Sequence, residues 1–383
     1  MLVSYVVLNL LDVLLLPQLQ YISFDNYLIP IVGVCLLKEY WKNKIFRYTA
    51  ILVLLKILAE FLSDYLGQFS WSNFAFSGIW VKYFLFTWSC YYLMTKHQNT
   101  QLVDNALIVF TITLILVNCI QLLRIDDISK AIESIYVHRQ DLVDYNFAGF
   151  DGFRLNGTQT NPNDNGIMLL LLMCLFYLRK IRNKEIWAAI LVILILLTQS
   201  RTAFISLCFI SFLYFLPVLK TLSVKKVLVL ISAGVVAFVL LIVLGFKTLL
   251  LLFDGSAFKS NSFMVRLGNV KEVASTLDGN YLFGYGKIQS FHAFFGRSID
   301  NELAFELAQF GIIGVLLYLV IITVMHYMIQ IQSGKRRAFM FTGLVFLFGA
   351  TNLSLLNSEV GVLFCIFFIL LFFARRKPLK YYS

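Results

Sequence analysis

The chain has 383 residues, of which 60% are hydrophobic and only 14% charged. A soluble domain carries roughly 25% charged residues, so the solvent around most of this surface must be lipid. The net charge of +11 would point to nucleic acid in a soluble protein, but most of the Lys and Arg stand in short clusters between apolar runs, so no nucleic-acid partner is expected.

Only helix bundles and closed barrels satisfy their backbone in lipid. The apolar runs are about 15 to 27 residues long and do not alternate, which selects helices. In chain order the expected spans are 1–16, 21–37, 46–63, 74–94, 102–123, 166–180, 186–198, 203–219, 227–246, 303–329, 338–353 and 358–374. The first is expected to be a retained span and not a cleaved signal, because no Lys or Arg precedes Lys38 and no small-residue cleavage site follows. Cys35, Cys90, Cys119, Cys174, Cys208 and Cys365 all fall inside apolar runs without metal spacing, so they read as small core residues.

Basic residues fix the expected orientation. One set of alternate loops and the C-terminal tail hold most of the 32 Lys and Arg, in clusters such as Lys38–Arg47, Arg179–Lys184, Lys335–Arg337 and Arg375–Lys380. Both termini are therefore expected on the cytoplasmic side. The expected architecture is an all-α polytopic membrane protein of about twelve helices, a single transmembrane domain over 1–383. Two large extracytoplasmic loops, 124–165 and 247–302, are too long and polar to be plain connections, and long ordered loops carry function.

Charges inside the spans are expensive and face the bundle interior or water. Lys56 and Glu60 lie one turn apart on the third span and share a face. With Lys82, Glu306, Glu359 and Asp12 they cluster in the expected outer half, whereas Asp104 and His326 mark inner ends. This bias predicts a polar cavity opening outward.

Four stretches carry chemistry. The first, Arg154 to Gly166, holds Gly157, Asn161, Pro162 and Asn163 and runs into a helix whose free N–H groups suit an anion; Arg154 adds a guanidinium fork matched to phosphate. The second is Ser200-Arg201-Thr202 at a hairpin tip. The third runs from Arg266, on an expected amphipathic helix over 263–277, to Gly284-Tyr285-Gly286, where the glycines allow close backbone approach. The fourth is Asp300-Asn301-Glu302, followed by Glu306, Gly311 and Gly314, with His292 and Arg297 just upstream.

In this order the four stretches resemble the bacterial O-antigen polymerase family (Wzy), within the O-antigen polymerase and ligase superfamily, over about residues 150–315. The resemblance implies a glycosyltransferase C-type membrane fold. It also implies a metal-independent enzyme using undecaprenyl-diphosphate-linked sugars at the outer face of a bacterial cytoplasmic (inner) membrane. The related ligases carry a His just before the position of Asn301; here Asp300 stands there, which favours polymerase over ligase.

On this reading Arg154, Arg201, Arg266 and Arg297 hold the diphosphates, aided by Asn161, Asn163, Tyr285, Asn301, Glu302 and Glu306. Asp300 is the expected base and His292 the runner-up. No cofactor or metal is expected. The partners are lipid-linked glycans and membrane lipids, with a chain-length regulator and a flippase alongside. The rivals are ligation of the finished chain and, in a different class, flipping of the lipid-linked oligosaccharide. A flippase would want charge through the midplane and internal repeats, and neither is evident in the sequence.

Overall fold

The computed structural model describes residues 24–66, 71–97, 101–123, 155–158, 162–219, 280–286 and 302–334, together with residues 128, 268, 271–273, 275–277, 337, 365 and 368. Among these there are helices and turns but no strand. Eight helices are described: α1 Phe24–Trp41, α2 Lys44–Leu66, α3 Trp71–His97, α4 Gln101–Leu123, α5 Pro162–Arg179, α6 Lys184–Leu197, α7 Arg201–Leu219 and α8 Glu302–Ser333. They coincide with eight of the expected spans. The spans 1–16, 227–246 and 338–353 lie outside the described residues, and 358–374 is described only at Cys365 and Phe368.

By length and apolar composition, two described stretches are suited to cross a membrane, Asp104–Leu123 and Leu303–Ile331. Helix α2 shows how charge within these helices is accommodated. Its buried residues are Phe46, Lys56, Glu60, Ser63 and Asp64, while Ile51, Leu54, Leu55, Leu58 and Tyr65 are exposed. A helix in water turns its apolar stripe inward. This one does the reverse: Lys56 is 0% exposed and Leu54 55%. Only an apolar surrounding makes that arrangement favourable.

Short connections set the directions. Four residues join α2 to α3 and three join α3 to α4, and α2 packs on α3, so successive helices reverse. The α5–α6 turn uses Lys180 and Asn183 at positive φ, and Asn tolerates that region better than most residues. Helices α4 and α5 are pinned at both ends. At one end Arg179 grips Asp104 with two bonds of 2.6 and 2.8 Å; at the other Asn165 Nδ2 donates to Asn118 Oδ1 at 2.9 Å. The finishing ends of α2, α4 and α6 and the starting ends of α5 and α7 therefore lie at one end of the bundle.

Helix α5 is apolar all round and runs through the main core, with Ile167 to Phe176 all buried. Its start differs from the expected 166. Proline is favoured at the first helical position because its missing N–H has no partner to lose there, so the helix opens at Pro162. The expected loop 124–165 thus gives up its last four residues to α5; the rest, apart from residues 128 and 155–158, lies outside the described residues, as does most of 247–302.

Candidate functional site

Two polar constellations stand where helices end. The first joins the Arg154–Gly166 stretch to the α6–α7 hairpin. Gln121, near the end of α4, accepts at Oε1 from the backbone N–H groups of both Asn156 and Gly157 at 3.0 Å. Asn165 donates to Asn118 and also to the Leu155 carbonyl at 3.1 Å, and Leu155 N–H donates to the Leu197 carbonyl at 3.3 Å. Gly157 adopts φ 60°, and a Cβ there would stand 2.5 Å from Asn165 Oδ1 and 2.9 Å from Asn118 Nδ2. Only glycine fits that turn.

Ser200 joins the hairpin to this corner. Its hydroxyl accepts from Ala203 N–H at 3.2 Å, an N-cap for α7, and donates to Asn163 Oδ1 at 2.7 Å. Arg201 is the first residue of α7, beside that cap. Gly166 lets the hairpin approach: its Cβ would meet Ala203 Cβ at 2.6 Å. The Asn156 side chain is fully buried, with no hydrogen-bond partner at either polar atom among the described residues. Buried amides are normally paired, so this corner holds unused hydrogen-bonding capacity.

The second constellation is built around a break in α8. Gly311 stands at φ 61°, ψ −161° inside the helix, a conformation essentially restricted to glycine. The carbonyls of Ala308 and Gln309 would ordinarily accept from Ile312 and Ile313. Instead they accept from Tyr285 N–H at 3.0 Å and Gly286 N–H at 2.8 Å. The released Ile312 and Ile313 N–H groups donate to the Tyr281 and Leu282 carbonyls at 2.8 and 3.2 Å. A loop thus trades four backbone bonds with the helix it splits, and each group in the exchange keeps a partner. Tyr285 is fixed further by donating its hydroxyl to the Thr276 carbonyl.

The break leaves a first half-helix, residues 302–310. Its Ala304 and Ala308 pack on Val273 and Leu277. These two belong to the expected amphipathic helix, whose Lys271 and Ser275 are exposed. Glu306, almost fully buried, accepts from Lys56 Nζ, which also lies 3.3 Å from Glu60 Oε1. One turn towards the start of α2, Val53 contributes to an apolar cavity of about 120 Å³, lined also by Trp80, Tyr83, Phe84, Met325 and Phe368.

The structure therefore pairs the first sequence stretch with the second and the third with the fourth. Asn163, Tyr285 and Glu306 are placed directly, and Arg201 and Glu302 are placed as the first residues of α7 and α8. Arg154, Asn161, Arg266, His292, Arg297, Asp300 and Asn301 lie outside the described residues. Gln121, Asn118 and Asn156 were not among the expected site residues. Their signal was slight: two amides three residues apart near the end of an otherwise apolar run, and one more Asn inside a stretch already rich in them.

Residues 186–319 match the family model described as O-antigen ligase. No curated protein matches the chain. The matched segment includes α6, the Ser200-Arg201-Thr202 hairpin, Gly284-Tyr285-Gly286 and α8 through its break, and stops short of Arg154–Gly166. The match supports the O-antigen polymerase and ligase superfamily and does not single out the polymerases within it.

Proposed function

We propose that the chain is a polysaccharide polymerase, for O-antigen or capsule, that moves a growing glycan from undecaprenyl diphosphate onto a lipid-linked repeat unit at the outer face of the cytoplasmic membrane. The observation that carries this reading is the family match across residues 186–319, which spans three of the four stretches. A role in glycan ligation or polymerisation is what that match supports; the choice of polymerase rests on Asp300 standing where the resembling ligases have a His.

The reaction needs a hydroxyl oxygen of the acceptor sugar to attack the anomeric carbon of the donor. The bond from that carbon to the diphosphate oxygen breaks, and the diphosphate leaves with the electron pair. Arg154, Arg201 and Arg266, with Arg297, would hold the diphosphates through bidentate charge-assisted bonds, and would stabilise the growing negative charge in a site shielded from water. Asp300, or His292, would take the proton from the attacking hydroxyl. Asn161, Asn163, Asn301, Glu302 and Tyr285 would orient the sugars and arginines. The apolar cavity beside Val53 and Trp80 suits a stretch of hydrocarbon chain better than a sugar.

Ligation of the finished glycan to a lipid A core is the second reading, favoured by the description of the matched family itself. The glycan of a deletion strain separates the two. A single repeat unit attached at its lipid end is the expected product of a missing polymerase. Absence of any attached glycan would instead mean ligase or flippase.

A further inference from the structure

Lys56, Glu60 and Asp64 are spaced four residues apart on α2 and form one stripe along its closing turns. All three are buried. Lys56 is the centre of a cluster drawn from three helices. Its ammonium meets Glu60 on α2 and Glu306 on α8, and lies 4.4 Å from the ring centre of Phe310 on α8 and 5.6 Å from that of Trp80 on α3. At the end of the stripe, Gly286 sits so close that a Cβ would meet Asp64 Oδ1 at 2.8 Å and the Ser63 carbonyl at 3.1 Å.

The break at Gly311 gives this cluster a task. The first half-helix of α8 is no longer continuous with the rest of α8, so its orientation depends on what grips it from the side. That half-helix begins at Glu302, and its Ala308 carbonyl accepts from Tyr285 N–H. Both the half-helix and Gly286 lie against α2: the half-helix is bound through Glu306 to Lys56, and Gly286 packs closely on Ser63 and Asp64. A buried ion pair adds little net stability over an apolar replacement, and charge within a membrane protein is costly unless it serves a purpose. Fixing geometry is such a purpose, because reacting groups must be held within about 0.5 Å of the productive arrangement.

We propose that Lys56 is a positioning residue: through Glu306 it pins the first half-helix of α8 to α2 and so sets the placement of Glu302 at its start and of Tyr285, which is bonded to its Ala308 carbonyl. The proposal rests on the reading that the chain transfers a glycan from a lipid diphosphate. The pair that matters is the one between helices, Lys56–Glu306; Lys56–Glu60 lies within α2 and fixes nothing across the break.

Purified full-length protein in lipid nanodiscs, turning over a lipid-diphosphate-linked oligosaccharide, tests this. Glu306→Gln and Glu60→Gln each remove one negative charge from the same cluster. Glu306→Gln should lower kcat about tenfold or more, with KM within about twofold, the pattern of lost transition-state geometry. Glu60→Gln should stay within about threefold of the parent kcat. The exchange Lys56→Glu with Glu306→Lys keeps one cation and two carboxylates, and should recover most of the kcat lost in either single variant. Equal kcat in Glu306→Gln and Glu60→Gln would overturn the proposal. So would a lowered melting temperature in Glu306→Gln with normal kcat, or an exchange variant no better than its singles. Lys56→Met strands two buried carboxylates; should it fail to accumulate, Glu306→Gln still decides, since it leaves Lys56 its partner on α2. Failure of the glycan-transfer reading is separate: it appears as no turnover by the parent protein.

Discussion

At the scale of single residues, Gly157 shows how closely the first constellation is fitted. Its positive φ and the 2.5 Å approach of Asn165 Oδ1 to a would-be Cβ leave no room for a side chain. Gly157→Ala combines left-handed strain of about 1 to 2 kcal/mol with overpacking of about 1 to 3 kcal/mol, so a loss of about 2 to 5 kcal/mol is expected and a thermal or denaturant melt in detergent would measure it. A change under 1 kcal/mol would mean that the turn relaxes freely. The proposed base is tested by Asp300→Asn, which keeps size and capping ability but removes the carboxylate. Turnover should fall about 100-fold or more while lipid-linked substrate still binds; near-normal turnover, with His292→Ala inactive, would move the role to His292. The sequence exposed Gly157, Asn163 and Ser200 because turn and cap residues are scarce in an apolar chain. It did not expose Gln121 or Asn118, since a lone amide in an apolar helix is equally at home satisfying itself on the preceding turn, as Asn118 does by donating to the Leu114 carbonyl.

At the scale of elements, the decisive feature is the exchange between the Tyr281–Gly286 loop and α8. Gly284 and Gly286 were legible as points of close backbone approach, and Gly311 only as a glycine of the fourth stretch. That these glycines approach one another was not legible, because the four bonds are an exchange between partners 23 to 31 residues apart and local pattern carries no record of them. The same holds for Lys56: its pairing with Glu60 follows from spacing on one helix, whereas its bond to Glu306 spans a separation of 250 residues. Gly311→Ala puts a Cβ 2.5 Å from the Leu282 carbonyl in a conformation that alanine rarely adopts. The local answer open to the chain is to close α8, returning Ile312 and Ile313 to Ala308 and Gln309 and expelling the loop. Helix content by circular dichroism should therefore be unchanged or slightly higher, while glycan polymerisation is lost. Retained activity with unchanged spectra would show that the break is dispensable.

At the scale of the whole molecule, charge and apolar surface are sorted in opposite directions. Helix α2 buries Lys56, Glu60 and Asp64 and exposes leucines; α4 buries Thr111, Asn118 and Gln121 while Val109, Ile112 and Leu116 face outward; α8 buries Glu306 and Gln309 and exposes Leu316 and Leu319. The positions of the described helices followed from apolar runs, and most boundaries moved by one to four residues; at Pro162 proline chemistry accounts for the shift. The polar corners belong to the finishing ends of α2, α4 and α6 and the starting ends of α5, α7 and α8, and Asp104–Arg179 marks the opposite end, beside the basic cluster Arg179–Lys184. If basic clusters face the cytoplasm, the polar corners face away from it, together with the loops 124–165 and 247–302. Cysteines introduced at Asp141 and Ser260 should then react with an impermeant thiol reagent in intact cells or spheroplasts, and one at Ser333, beside Lys335–Arg337, should react only after permeabilisation. Labelling at Ser333 with protection of the other two would invert the molecule. It would put both polar corners on the cytoplasmic side, where a glycan on the outer leaflet cannot reach them.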